Sequence, residues 1–233
     1  MSIARIATFE SKTGDSVEVF RGIDEPTRAK IYKGAFDPGI VKTLGTKDQR
    51  RFSPEAFPGW ISKGGGRLPY TAQVNGDLAG LIWFGGEAFP RHHFPDSPAQ
   101  PPYTMAFRTA YEAPGGGTFE GRGIGKRLAV AGLADVIALT RNGGPGGLPP
   151  VGKVGVWLDT GVANLDGQAL YHHLGNTERG QEPVGFIDAG IYVPPVEPGA
   201  EPKESRVGMI IEPEMLEHIA ANAGSLVTFE ASR

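Results

Sequence analysis

The sequence predicts a mixed α/β fold of the α+β type, in one domain over residues 1–233. Three observations carry that expectation. Residues 70–74 and 78–84 flank Asn75-Gly76, the strongest short hairpin signal in the chain, so two strands are antiparallel neighbours. A strand pattern at 103–109 leads through a glycine-rich turn into 125–140, the best helix in the chain. Beyond it strand and helix patterns alternate, at 154–160, 164–174 and 185–193, with no composition break to separate two domains.

The elements follow in order. Residues 17–20 form a first strand, and 25–36 a helix with Glu25 and Pro26 in its first turn and Gly34 near its end. Ser53 is the N-cap of a second helix at 54–63, closed by Gly64, Gly65 and Gly66. The hairpin comes next. Residues 89–102 hold five prolines and form a long loop, because proline removes an amide donor and fixes its own backbone. In the helix at 125–140, Val130, Leu133, Val136 or Ile137, and Thr140 make the more apolar face, Leu128, Ala131 or Gly132, and Asp135 share another, and Asn142 to Gly144 stop it. The prolines at 194, 195, 198 and 202 stiffen a loop before a strand at 206–211, and the tail at 214–223 is helical.

Composition narrows the function classes. The chain has 35 glycines and 20 prolines, about twice the average share. Its 39% hydrophobic content and 12 phenylalanines still require a packed core. A formal charge of −3 with mixed signs leaves no footprint for nucleic acid or a membrane surface. The absence of cysteine excludes disulfides, a thiol nucleophile and thiolate metal sites. No secretory signal pattern stands at residues 1–10 and no long apolar run occurs, so a soluble cytoplasmic protein is expected.

Gly121, Gly123 and Gly125 alternate where the long helix begins, with Arg122, Lys126 and Arg127 among and after them. The first amides of a helix lack partners and lie at the positive end of its dipole, and glycine lets an anion reach that backbone. Two phosphate motifs fail here. The ATPase loop would need Gly where Glu120 stands, and the dinucleotide fingerprint meets Lys126 or Leu128 in place of its third small residue. Downstream, Asn164 and Tyr171 lie seven residues apart on one helix, two turns and therefore one face, with Ala169 and Leu170 before the Tyr and Gly175 four residues after it.

Together these segments resemble the GNAT family of acyltransferases. The turn at Glu120, Gly121, Arg122, Gly123, Ile124 and Gly125 is similar to the family's acetyl-CoA loop, with Glu120 in place of the usual Gln or Arg. The run from Asn164 through Tyr171 to Gly175 is similar to its Asn, Ala-Leu-Tyr, Gly-Phe signature, with Asn176 in place of Phe. The likeness covers about 70–193, leaving 1–69 as the acceptor-side strand and helices and 212–233 as a tail. It implies a mostly antiparallel central sheet flanked by helices and splayed between the fourth and fifth strands. It also implies transfer of an acetyl group from acetyl-CoA to a primary amine by direct attack in a ternary complex, with no metal. A catalytically inactive acyl-CoA-binding module is the alternative, and family members are often homodimers.

Residue roles follow from the same resemblance. Amides of Thr109, Ala110 and Tyr111 would polarise the thioester, while the amides of Arg122 to Lys126, with the Lys126 and Arg127 side chains, would hold the pyrophosphate. Asn164 would contact the pantetheine arm. Tyr171, a neutral donor at pH 7, would protonate the departing thiolate. The base is open between Glu87 and Glu112, with His92 and His93 behind them. Phe36, Phe52, Phe57, Trp60 and the loop at 89–102 suggest an apolar acceptor cleft. His172-His173 and His92-His93 lack partners at ligand spacing, so they are read as packed or solvated.

Overall fold

Asn75 and Gly76 both adopt positive φ, 51° and 80°, the conformation a two-residue type I′ hairpin requires. They join strand β3 (Leu68–Val74) to β4 (Asp77–Gly86), with Val74 opposite Asp77. A computed structural model describes residues 3–33, 51–97, 99–108, 113, 116–178, 180–194 and 203–231. Among them β1 (Ala4–Glu10), β2 (Ser16–Arg21), β5 (Tyr103–Arg108), β6 (Val156–Gly161), β7 (Ile187–Tyr192), β8 (Arg206–Ile211) and β9 (Thr228–Phe229) complete one sheet, in the order β7-β8-β6-β5-β4-β3-β2-β1-β9. Every neighbouring pair is antiparallel except β5 and β6.

Among the described residues that parallel pair is held by one bridge, Thr104 with Trp157. No other β5–β6 ladder pair occurs among the described residues, at the place where the fourth and fifth strands were expected to splay.

Ladder partners share a face, so the register assigns side chains to the two sides of the sheet. Ile82, Phe84, Met105, Phe107, Leu158 and Val207 look one way. The helices α3 (Ile124–Leu139), α5 (Leu165–His172) and α6 (Pro213–Asn222) cover that side, and the main core lies between. Gly132 lets α3 approach closely: a Cβ there would come within 2.5 Å of Ile82 and 3.2 Å of Phe84. The opposite face carries Leu81, Trp83, Thr104, Trp157, Asp159 and Arg206, from the pairings Trp83–Ala106, Gly85–Thr104, Thr104–Trp157 and Asp159–Gly208. Here α2 (Phe57–Ser62) sets Trp60 edge-on to Trp83 with ring centroids 5.9 Å apart. Arg67 lies over both indoles, 4.9 and 4.2 Å from their centroids. A second apolar cluster, Phe89, Phe94, Trp157 and Ile210, fastens the proline-rich loop to this side.

Several boundaries differ from the sequence expectation, each for a local reason. β1 escaped notice because a bulge between Arg5 and Ala7 buries Ile6 and Ala7 in succession and breaks the alternation. The strand expected from residue 154 begins at Val156; Val151–Val154 is a helical turn, α4, ended by Gly155 at φ 82°. The strand expected from 185 begins at Ile187, because the Phe186 amide donates to the Tyr171 carbonyl at 3.0 Å. Ser53 accepts from the Ala56 amide at 3.1 Å, but its turn precedes α2, which starts at Phe57. The first helix, α1, runs Glu25–Lys33, and residues 34–36 lie outside the described residues. Among the described residues, no helix is long and apolar enough to cross a membrane.

Candidate active site

The N-terminus of α3 is built by two left-handed glycines, Gly121 at φ 77° and the N-cap Gly123 at φ 75°. L-residues with a Cβ adopt that region at a cost of about 1–2 kcal/mol. The turn between β1 and β2 braces the loop: the Lys12 amide donates to the Arg122 carbonyl at 2.9 Å, and Asp15 receives the Arg122 guanidinium at 3.3 Å. Hydrogen bonds from Thr13 and Ser11, then Arg122, hold the Asp15 carboxyl below its ordinary pKa. Arg122 also lies over the Phe119 ring, 5.0 Å from its centroid.

The cations expected at a pyrophosphate are thus partly engaged within the protein. Arg127 donates to the Gly123 carbonyl at 3.2 Å and sits 5.7 Å from the Phe9 ring. Lys126 donates to the carbonyls of His173, at 2.8 Å, and Asn176. Burial, then Arg127 and Lys12, push its pKa down. Lys12 is a further cation at this helix terminus that sequence reasoning missed; only the pairing of β1 with β2 brings it there.

Asn164 is the N-cap of α5. Its Oδ1 accepts from the Gly167 amide at 3.2 Å and its Nδ2 donates to Thr160 at 2.8 Å. One helix-length away Tyr171 is 7% exposed, set edge-on to Phe107 and Phe186 at centroid distances of 6.1 and 6.0 Å. Gly185 lets the returning chain pass, since a Cβ there would overlap the Tyr171 carbonyl oxygen. Asn176, in the place of the expected Phe, is 4% exposed and closes the next loop through Val184, 2.9 Å from its Oδ1, and Glu182, 2.8 Å from its Nδ2.

A cleft of about 1180 Å³ runs through the opening between β5 and β6. On the helix side it meets the Gly121–Arg127 turn, Asn164 and Tyr171; on the other it meets Trp60, Trp83, Glu87, His93, Asp159 and Tyr192. Glu87 is exposed at the end of β4; its carbonyl accepts from the Trp157 indole at 2.8 Å. Asp159, Tyr192 and Arg206 form a network that sequence reasoning did not find. The Tyr192 hydroxyl and, at 2.8 Å, Arg206 both donate to the Asp159 carboxylate. Burial and then Asp159 raise the Tyr192 phenol well above its ordinary pKa. Burial opposes the charge on Arg206, but Asp159 outweighs it and the guanidinium is raised. These residues sit on three strands far apart in sequence, so no local spacing signals them. Thr109, Ala110, Tyr111 and Glu112 lie outside the described residues. No group of three or more His, Asp or Glu able to hold a metal occurs among the described residues.

Comparison with known proteins places this architecture. No family model and no curated protein matches the chain. Among solved structures, RimJ of Mycobacterium smegmatis in complex with CoA-disulfide aligns over 97% of both chains at 12% identity and a TM-score of 0.51. An uncharacterized protein from Bacillus halodurans aligns over 94% of this chain and 96% of its own, at 10% identity and a TM-score of 0.57. The aminoglycoside acetyltransferase AAC(6')-Ib in complex with coenzyme A aligns over 86% of this chain and 97% of its own, at 16% identity and a TM-score of 0.52. The likeness is one of fold, the mixed and mostly antiparallel GNAT-type sheet that the sequence resemblance implied.

Proposed function

We propose that the protein is a GNAT-type N-acetyltransferase that moves the acetyl group of acetyl-CoA to a primary amine by direct attack in a ternary complex. One observation carries the reading: a single cleft passes through the sheet at the parted strands and joins an anion-binding helix terminus and a buried tyrosine to a polar, aromatic-walled face. Two reactants can therefore meet from opposite sides. The solved structures of similar fold that hold CoA or acetyl-CoA support the choice of donor.

The residues present suit such a donor. The α3 amides beyond Gly123, with Lys12 and Arg127 beside them, would bind a pyrophosphate, and the helix terminus adds about 0.3–1 kcal/mol for a negative group. Asn164 fixes the start of α5 and so the azimuth of Tyr171. Tyr171 would give its proton to the departing sulfur; a positioned acid of this kind contributes about 10²–10⁴-fold in rate. Glu87, Asp159 and His93 are the described groups of the opposite face able to take a proton from the acceptor.

CoA binding and turnover test the reading together. CoA should raise the melting temperature by mass action, and acetyl-CoA with primary amines should release CoA thiol. Stabilisation without thiol release across peptide, aminoglycoside and arylalkylamine acceptors would favour the non-catalytic acyl-CoA-binding alternative. No stabilisation at all would defeat both.

A further inference from the structure

Phe94 anchors the loop of five prolines to the sheet, and the residue before it is a histidine that lines the cleft. Phe94 packs on Gly190 and Gly208, where a Cβ on Gly208 would overlap its ring. Phe94 stacks on Phe89 at 5.2 Å, and Phe89 meets Trp157, the β6 residue bridged to Thr104 of β5, at 6.0 Å. The preceding residue, His93, is stacked on Tyr192 with centroids 4.4 Å apart and planes 24° apart. Tyr192 in turn donates to Asp159, two residues beyond the bridge on β6. His93 therefore lines the cleft beside the parted strands, on the face away from the α3 terminus and Tyr171.

We propose that His93 takes the proton from the acceptor ammonium, a role that rests on the acetyl-transfer function proposed above. The competing groups are less suited. Both Asp159 oxygens already accept hydrogen bonds, from Arg206 and Tyr192, and Glu87 stands exposed at the end of β4. Burial of the ring, then the adjacent His92, hold the His93 pKa below the ordinary histidine value, so the ring is neutral at pH 7 and keeps a free electron pair. The groups around it are His92 on its own turn, with ring centroids 3.8 Å apart, Tyr192 from β7, Asp159 and Arg206 behind that tyrosine, and Glu87, Arg51 and Lys203, which line the same cleft.

The proton account closes. One proton leaves the ammonium for His93 and passes to water. The neutral nitrogen forms the new C–N bond, and the C–S bond breaks with its electron pair on sulfur. Tyr171 protonates that sulfur and recovers a proton from the nitrogen, so amide, CoA thiol and one released proton balance the ammonium and thioester.

The test is the pH dependence of kcat/KM for CoA thiol release from acetyl-CoA, with an arylalkylamine, a free-N-terminus peptide and an aminoglycoside as acceptors, in wild type, His93→Gln, His92→Gln and Glu87→Gln. His93→Gln should lose about 10²–10³-fold, lose the acidic limb of the profile, and regain rate with added imidazole. His92→Gln should move that limb to higher pH, because a repelling neighbour is gone. Glu87→Gln should leave the acidic limb in place. An unchanged rate and profile in His93→Gln, or a loss with no rescue by imidazole and an intact acidic limb, would overturn the proposal while leaving acetyl transfer standing. A wild-type protein that turns over no acceptor would instead bring down acetyl transfer, and the role of His93 with it.

Discussion

Lys126 ties the first turn of α3 to the loop that follows α5, donating to the carbonyl of His173 at 2.8 Å and to that of Asn176. The bond joins the helix terminus proposed to receive a pyrophosphate to the helix that carries Tyr171. Lys126→Met should cost about 1.5–3 kcal/mol, the range for a hydrogen bond to a charged group. In a chain of this size that lowers the melting temperature by roughly 2–4 °C per kcal/mol. Titration calorimetry with CoA should show a smaller loss of affinity for Lys126→Met than for Lys12→Met, if Lys126 acts mainly as the staple. A larger loss would show that Lys126 turns to the ligand.

Gly121 and Gly123 form a matched pair. Both have left-handed φ, but a Cβ at Gly121 meets nothing within 4 Å, whereas one at Gly123 would come within 2.8 Å of the Arg127 guanidinium and 3.2 Å of the Lys12 side chain. Alanine at either should lose about 1–2 kcal/mol of stability through backbone strain. Only Gly123→Ala should also weaken CoA, by about tenfold, since about 1.4 kcal/mol of displaced cation contact suffices. Gly144 would make a poor control despite its place in a plain connector, because a Cβ there would overlap the Tyr103 hydroxyl.

Tyr171→Phe keeps the two ring contacts and removes only the hydroxyl. Stopped-time assays should show kcat reduced by about 10²–10³-fold, with the CoA dissociation constant within threefold of wild type, about 0.65 kcal/mol. A large change in CoA affinity with kcat retained would mean that the hydroxyl binds the donor and takes no part in its breakdown.

Tyr70 gives a pH-dependent test of the core. Its hydroxyl donates to Asp135 at 2.9 Å, which also receives Arg21 at 3.1 Å, so the one acidic residue in the middle of α3 is paired on the sheet. Burial, then the Asp135 charge, raise the Tyr70 phenol well above its ordinary value. A group raised in the folded state stabilises fully below its unfolded pKa, about 10, and that contribution fades as the pH climbs from there toward the folded value. Tyr70→Phe should therefore cost about 1–2 kcal/mol in urea unfolding at pH 8, and the gap to wild type should shrink at pH 10.5. A constant gap would show that the phenol titrates normally.

Local features were the legible ones. Asn75-Gly76 specifies its turn through two adjacent residues, and the spacing of Asn164 and Tyr171 is fixed by helix geometry, so both could be read without the sheet. What stayed hidden depends on distant strands. Lys12 reaches α3 only because β1 and β2 form a hairpin, and Asp159, Tyr192 and Arg206 meet only because β6, β8 and β7 are adjacent. The segment 89–102 was readable as irregular, but the glycines that receive Phe94 lie about a hundred residues downstream. Ile6 and Ala7 misled for the opposite reason: a bulge spoiled a pattern that was local.

Beyond the bridge at Thr104 and Trp157, β5 and β6 share no ladder pair among the described residues. Two rows of peptide groups thus face a slot with no strand opposite, and a narrow chain with amides of its own could stand in for the absent one. The pantetheine arm of acetyl-CoA, the donor proposed above, has two amides in line. A thioester delivered this way would arrive in a fixed register, as a residue does when a strand is added to a sheet, and the donor itself would complete the hydrogen bonding between the two halves of the sheet.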